Sequence, residues 1–330
     1  MISIKTSRVM RGIAMIIVLI SHYAGWMYVT AHNEQLRLVL GSWGPAGVDI
    51  FFLMSGYGLA KSGASITGVK SGCKYLARRF ASVYVPYLLL SGLIMVYSGE
   101  WKYITFGKVG EYVIGYNYWY ICILLAAYIM FAIVWSLFKN DTVRGALLCL
   151  GIAAFSYILF RMGRSYFWYV SNMSIAIGII AGTFDNRFAD IKKEKVLAVK
   201  TGIFFVGMLG FAASSVLFNR IYSVNPLGGK AYRIAMNVFF AVMILGIAYL
   251  IDKKCNRKSE HSGVVGIIGE YSLYIYILHT VLFWIMIIRL DWLGYVYAVV
   301  IVAAISIVIS VIVGMLMKKY ITDRLVNRLR

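Results

Sequence analysis

Four residues of types that lipid rarely tolerates stand inside apolar runs of this 330-residue chain. They are Arg11 and His22 in "MRGIAMIIVLISHYAG", Asp49 in "GPAGVDIFFLMSGYG" and His279 in "GEYSLYIYILHTVLF". An ionisable side chain at mid-bilayer costs roughly 3 kcal/mol on insertion scales, and it is kept where it faces a bundle interior or a wet cavity. Histidine is suited to proton transfer near neutral pH, and a carboxylate beside it fixes its tautomer and strengthens it as a base. His22 is therefore the candidate catalytic base, Asp49 its candidate orienting partner, and His279 a further polar group of the same pocket.

The spacing supports this grouping. Arg11 and His22 are eleven positions apart, three helical turns plus about 20°, so they share a face at an axial separation of roughly 16 Å. Arg8 lies one turn earlier on nearly the same stripe. Counting the helical rise from the far edge puts Asp49 about 8 Å and His22 about 12 Å deep, and His279 falls in the same half. At this level other readings stay open: the arginines as topology signals, His22 as a packed histidine satisfied by a neighbouring helix, and Asp49 as a helix cap or the partner of a structural arginine.

At the opposite depth, "CKYLARRFASVYVPYLL" places Arg78 and Arg79 just before a span. Together with Arg8 and Arg11 they suit phosphate groups through bidentate hydrogen bonds, although a preference for basic residues on the cytoplasmic side is enough to account for them. Trp119 and Tyr120 in "GYNYWYICILL" read either as an interfacial aromatic belt or as pocket wall. Arg161 and Arg164 in "RMGRSYF" fall on the outer side against the charge rule, where a glycan or anion would meet them.

The elements that carry these residues are membrane helices. The chain is 61% hydrophobic with a mean hydropathy of +0.79 and three prolines, outside the range of soluble domains. Ten apolar segments are long enough for a core about 30 Å thick: 9–30, 44–60, 80–98, 117–138, 144–160, 166–183, 197–219, 231–251, 264–288 and 293–317. With both termini cytoplasmic, the inner segments hold 24 of the 33 Lys and Arg residues and the outer ones the remaining 9. The +20 formal charge is thus a topology signal, and no nucleic-acid partner is expected. Continuous rather than alternating apolar runs predict an all-α bundle of about ten transmembrane helices instead of a barrel. The first run is long enough to stay as an anchor and lacks a small-residue cleavage site. No linker divides residues 1–330, which predicts a single transmembrane domain without a fused extracytoplasmic one. The four cysteines show neither disulfide nor metal spacing, and no phosphate-binding loop, dinucleotide fingerprint or nucleophile elbow is present.

Taken in order, Arg11 followed ten residues later by His22, then "GVDIFFLMSGYGL", "RRFASVYVPYLL", "YWYICILL" and "YSLYIYILH" resemble the acyltransferase-3 family of integral membrane acyltransferases. The resemblance runs from the first span to the ninth. It implies a ten-helix fold that uses cytoplasmic acyl-CoA, usually acetyl-CoA, as donor substrate to acylate a hydroxyl of a surface polysaccharide, lipid-linked glycan or other cell-surface molecule, with no permanently bound cofactor. By position, His22 matches the family's essential histidine and Arg11 its motif arginine; Asp49 falls in the second signature, and Arg78 and Arg79 in the third. Ser82 stands in the stretch before Pro86 where members often carry a further arginine, which implies a smaller donor-binding set. The implied setting is a bacterial plasma membrane. The competing class is a transporter or flippase of a lipid-linked glycan, with buried His and Asp as a proton relay; no inverted repeat is visible, which ranks it second.

Overall fold

The structure is a computed structural model that describes residues 2–27, 34–185, 193–257, 263–287 and 295–329. Two inner basic segments inferred from the sequence, 187–200 and 253–258, lie partly outside the described residues, and so does the side chain of Cys255. Among the described residues there is no β-strand.

Among the described residues, each of the ten apolar segments is mainly helical. Helix α1 covers Ile4–Met27, α2 Glu34–Gly41 and α3 Gly44–Gly63. Helix α4, Val69–Arg79, continues through a π-helical turn at Phe80–Tyr84 into α5, Val85–Tyr97. Next come α6 (Phe106–Ile114), α7 (Trp119–Leu137), α8 (Asp141–Arg161), α9 (Met173–Phe184), α10 (Lys193–Ile221) and α11 (Pro226–Arg257). The chain closes with α12 (Gly263–Glu270), α13 (Ser272–Ile287), α14 (Tyr295–Met317), a second π turn and α15 (Asp323–Arg328).

Length and hydropathy qualify seven helical stretches as membrane spans, or eight if α12 and α13 are one span bent by 82°. The expected total of ten is not reached on this criterion. Helices α1 and α3 are not among these seven. The two are nevertheless 24 and 20 residues long, the length a bilayer needs.

Close backbone approach holds the centre together. A Cβ added to Gly269 of α12 would stand 1.7 Å from the Arg8 carbonyl oxygen, and one on Gly12 of α1 would stand 1.9 Å from that of Val265. The same device joins α3 to α9, where a Cβ on Gly56 would meet the Ile175 carbonyl oxygen at 2.1 Å and one on Gly178 that of Leu53 at 2.1 Å. Without a hydrophobic force between helices in lipid, small residues that let backbones touch supply the van der Waals contact instead.

The π turn follows from Pro86. Its ring nitrogen has no hydrogen to donate, so the regular ladder fails there, and Val85 N donates instead to Phe80 O, five residues back.

Candidate active site

A cavity of about 390 Å³ lies among α1, α3, α7, α13 and the turn at 166–171. Helix α1 contributes Arg11, Val18, Ser21 and His22 to its wall, a spacing that keeps all four near one helical face. Arg11 and His22 are therefore joined by one continuous space.

His22 meets its partner across the bundle. Its Nδ1 is 2.9 Å from Nε2 of His279 on α13. His279 Nδ1 in turn faces the carbonyl oxygens of Tyr276 at 2.8 Å and Ile275 at 3.2 Å. Carbonyls only accept, so His279 Nδ1 carries the hydrogen; in the neutral ring Nε2 then accepts, and His22 Nδ1 donates to it. The lone pair of His22 is thereby placed on Nε2, the tautomer of a base or nucleophile. His279 is buried, with 2% exposure, so the arrangement is held in a dry environment.

Asp49 does not take the place expected for it. It too is buried, but its Oδ1 accepts from Ser174 Oγ of α9 at 2.7 Å, and no hydrogen bond or ion pair joins it to His22 among the described residues. Depth counted along a helix fixes height and leaves azimuth open. Asp49 lies seven residues before Gly56 and four before Leu53, on the face of α3 that meets α9. Among the residues described, the side chain hydrogen-bonded to His22 is His279.

The four arginines expected at the donor end separate as well. Arg11 lines the cavity, and its Nε also donates to Ser7 O at 3.3 Å. Arg79 stands behind the wall: its Nε donates to Tyr75 Oη at 3.1 Å, its Nη2 to Ser62 Oγ, and its guanidinium lies 5.9 Å from the ring centre of Tyr128, which does line the cavity. Arg8 is turned away to Glu270, 3.4 Å from Nη1. Lys318 Nζ donates to the other oxygen of the same carboxylate at 2.8 Å. Glu270, the residue at the α12–α13 break, thus acquires a structural role. Arg78 is half-buried and off the cavity wall.

Trp119 and Tyr120 both line the cavity. Tyr120 stacks on Phe52 with ring centres 4.9 Å apart and meets the edge of Tyr276 at 5.3 Å; Trp119 packs on Phe167 at 5.4 Å. Sequence reasoning missed Tyr276, Tyr128, Ser21, Ser55 and Ser272 on the same wall. Tyr276 had a signal, since it precedes His279 by three positions and so shares its face. The serines and Tyr128 had none, because nothing in their local pattern separates them from ordinary helix-packing residues. Among the described residues no group of three or more His, Cys, Asp or Glu side chains is disposed to hold a metal ion.

The arrangement offers a base in a tautomer fixed by a buried partner at one end, a guanidinium at the other, and an aromatic passage between them. The pattern of a protein family described as "Acyltransferase domain" matches residues 5–316. Neither a curated protein nor a solved structure matches the chain.

Proposed function

The chain belongs to the acyltransferase-3 family, and from that premise we propose that it transfers an acyl group, specifically acetyl, from acetyl-CoA to a hydroxyl of an extracytoplasmic glycan or other cell-surface molecule. It is a membrane acyltransferase. The observation that carries the finer reading is the single cavity whose wall holds both Arg11 and the His22–His279 pair.

In this reading both termini and the Arg11 end face the cytoplasm of a bacterial plasma membrane, and ten helices cross it. Arg11, with Arg79 behind Tyr128, attracts the phosphates of coenzyme A, and the pantetheine arm lies along the aromatic passage toward His22. The acceptor hydroxyl enters at the His22 end. His22 Nε2 takes its proton as the oxygen attacks the thioester carbonyl; the tetrahedral intermediate expels the coenzyme A thiolate, which recovers the proton from the imidazolium. The O–H and C–S bonds break, the C–O and S–H bonds form, and no oxidant or metal enters the balance. The same Nε2 lone pair would serve if His22 carried the acyl group transiently, and a quenched radiolabelled intermediate on His22 would distinguish that route.

The decisive experiment measures release of free coenzyme A and acylation of surface glycan by H22A protein of normal abundance and melting behaviour. Loss of both is expected, and retained acylation would refute the catalytic role. Donor affinity should weaken in R11A. Unchanged acyl-CoA binding there would remove Arg11 from the phosphate site.

A further inference from the structure

Two arginines that the transfer chemistry does not use pack on the 166–168 turn beside the cavity, and a lysine lies one helical turn from one of them. Arg233 of α11 lies 4.0 Å from the ring centre of Tyr166, a residue of the cavity wall, and 5.6 Å from that of Phe218. Arg164 sits over Tyr116 at 4.8 Å and Trp168 at 5.6 Å, and its Nη1 donates to Tyr116 Oη at 2.8 Å. Lys230, one turn before Arg233, stands over Phe160 at 5.2 Å.

All three are half-buried, and among the described residues none is paired with a carboxylate. The contrast within the molecule is informative: Arg8, Lys61, Arg144 and Lys318 each have an acidic partner within 3.4 Å. On the proposed topology these cations also belong to the outer minority, where orientation in the membrane gives no reason for them. Partly desolvated like charges repel one another. A guanidinium stacked on a ring by its face keeps its N–H edge available for a planar or tetrahedral anion. Tyr166 and Phe167 beside them are exposed by 41% and 36% while lining the cavity, and such aromatic faces suit the apolar face of a sugar.

We propose that Arg164 and Arg233, with Lys230 beside them, form a recognition site for an oxyanion, phosphate or carboxylate, carried by the acyl acceptor itself. The acceptor class is thereby an anionic glycan. This inference rests on the acyl-transfer reading for the identity of the ligand as acceptor, and on these cations alone for its charge.

The test uses full-length protein in phosphatidylcholine nanodiscs and two matched probe pairs. One is a glucuronate-containing tetrasaccharide and its carboxyl-reduced counterpart; the other is a glycerol-phosphate-substituted disaccharide and the same disaccharide without phosphate. Binding is read by quenching of tryptophan fluorescence. In at least one pair the anionic member should bind tenfold or more tightly than its neutral partner, with a preference that declines as salt rises. R164Q/R233Q should reduce that preference to about twofold or less, R233Q alone should reduce it partly, and R164K/R233K should retain most of it. Equal binding within both pairs by the unaltered protein overturns the proposal without any variant, as does a preference that survives in R164Q/R233Q. Repeating the assay in phosphatidylglycerol nanodiscs separates the source of the anion. The preference persists if the acceptor supplies it, and its disappearance there assigns the arginines to lipid headgroups and overturns the proposal. H22A separates the two readings: it should keep the binding preference while losing turnover, and turnover retained in H22A defeats the acyl-transfer reading while leaving the charge preference to be scored by binding.

Discussion

The hydrogen bond between His22 and His279 makes the reactivity of one ring depend on the backbone of another helix, because the Tyr276 carbonyl fixes the His279 hydrogen and His279 then fixes that of His22. H279A should therefore lower kcat by about 100-fold, at the lower end of what positioned acid–base groups contribute, while leaving the KM for acetyl-CoA near its original value. H279Q, whose amide oxygen can still accept from His22, should recover part of that loss. A mainly structural His279 would instead lower the melting temperature in both variants, with no difference in kcat between them. D49N should keep kcat close to that of the unaltered protein, since an amide oxygen still accepts from Ser174; a loss matching that of H22A would restore Asp49 to the catalytic group. At this scale the sequence was readable where one helix set the geometry: the eleven-residue interval was enough to put Arg11 and His22 on one wall. It was unreadable where two helices had to be turned about their own axes, which is why Asp49 was matched to the wrong partner and Arg8 to phosphates instead of Glu270.

Helix α1 carries both Arg11 and His22, the two ends of the proposed donor path, so whatever fixes α1 fixes the site. Its clamp is the backbone contact with α12, where the Arg8 carbonyl occupies the space a Gly269 side chain would need. G269A should destabilise the protein by about 1–3 kcal/mol, the usual cost of overpacking, and lower kcat by displacing Arg11 relative to the cavity. G58A, at an α3 glycine with nothing within 4 Å of the added carbon, should leave both melting temperature and kcat unaffected. That the described parts of the apolar runs are mainly helical was visible from hydropathy alone, but the 82° break after Glu270 was not. Hydropathy averages over a window and is blind to a single residue, and here side chains distant in sequence, Lys318 and Arg8, both pair with the carboxylate of the residue before the break.

At the scale of the whole molecule, two of the polar systems among the described residues involve α3. One is the cavity. The other is a buried cluster in which Tyr57 Oη donates to Asp185 Oδ2, Lys61 Nζ lies 3.0 Å from the same oxygen, and Ile2 N donates to Tyr57 Oη at 2.8 Å. Asp185 is 1% exposed, so removing its charge leaves Lys61 with a desolvated partner lost; D185N should cost about 3 kcal/mol, read as a lowered thermal midpoint with the acyl-CoA affinity of the folded fraction unchanged. Nothing in the sequence distinguished this cluster, because its members are scattered from residue 2 to residue 185 and no short motif links them. The clasp on the N-terminus continues with Ser3 N and Thr6 Oγ1, which both donate to Asp252 Oδ1 at 2.8 and 2.7 Å. Helix α1 is consequently held by residues made some 249 positions later. At about 5–20 residues per second, α1 waits roughly 12–50 s in the membrane before Asp252, and then Gly269 and His279, arrive to hold it. Arg11 and His22 spend that interval without their final neighbours, which makes the insertion of α1 a step separate from its fixing in the bundle.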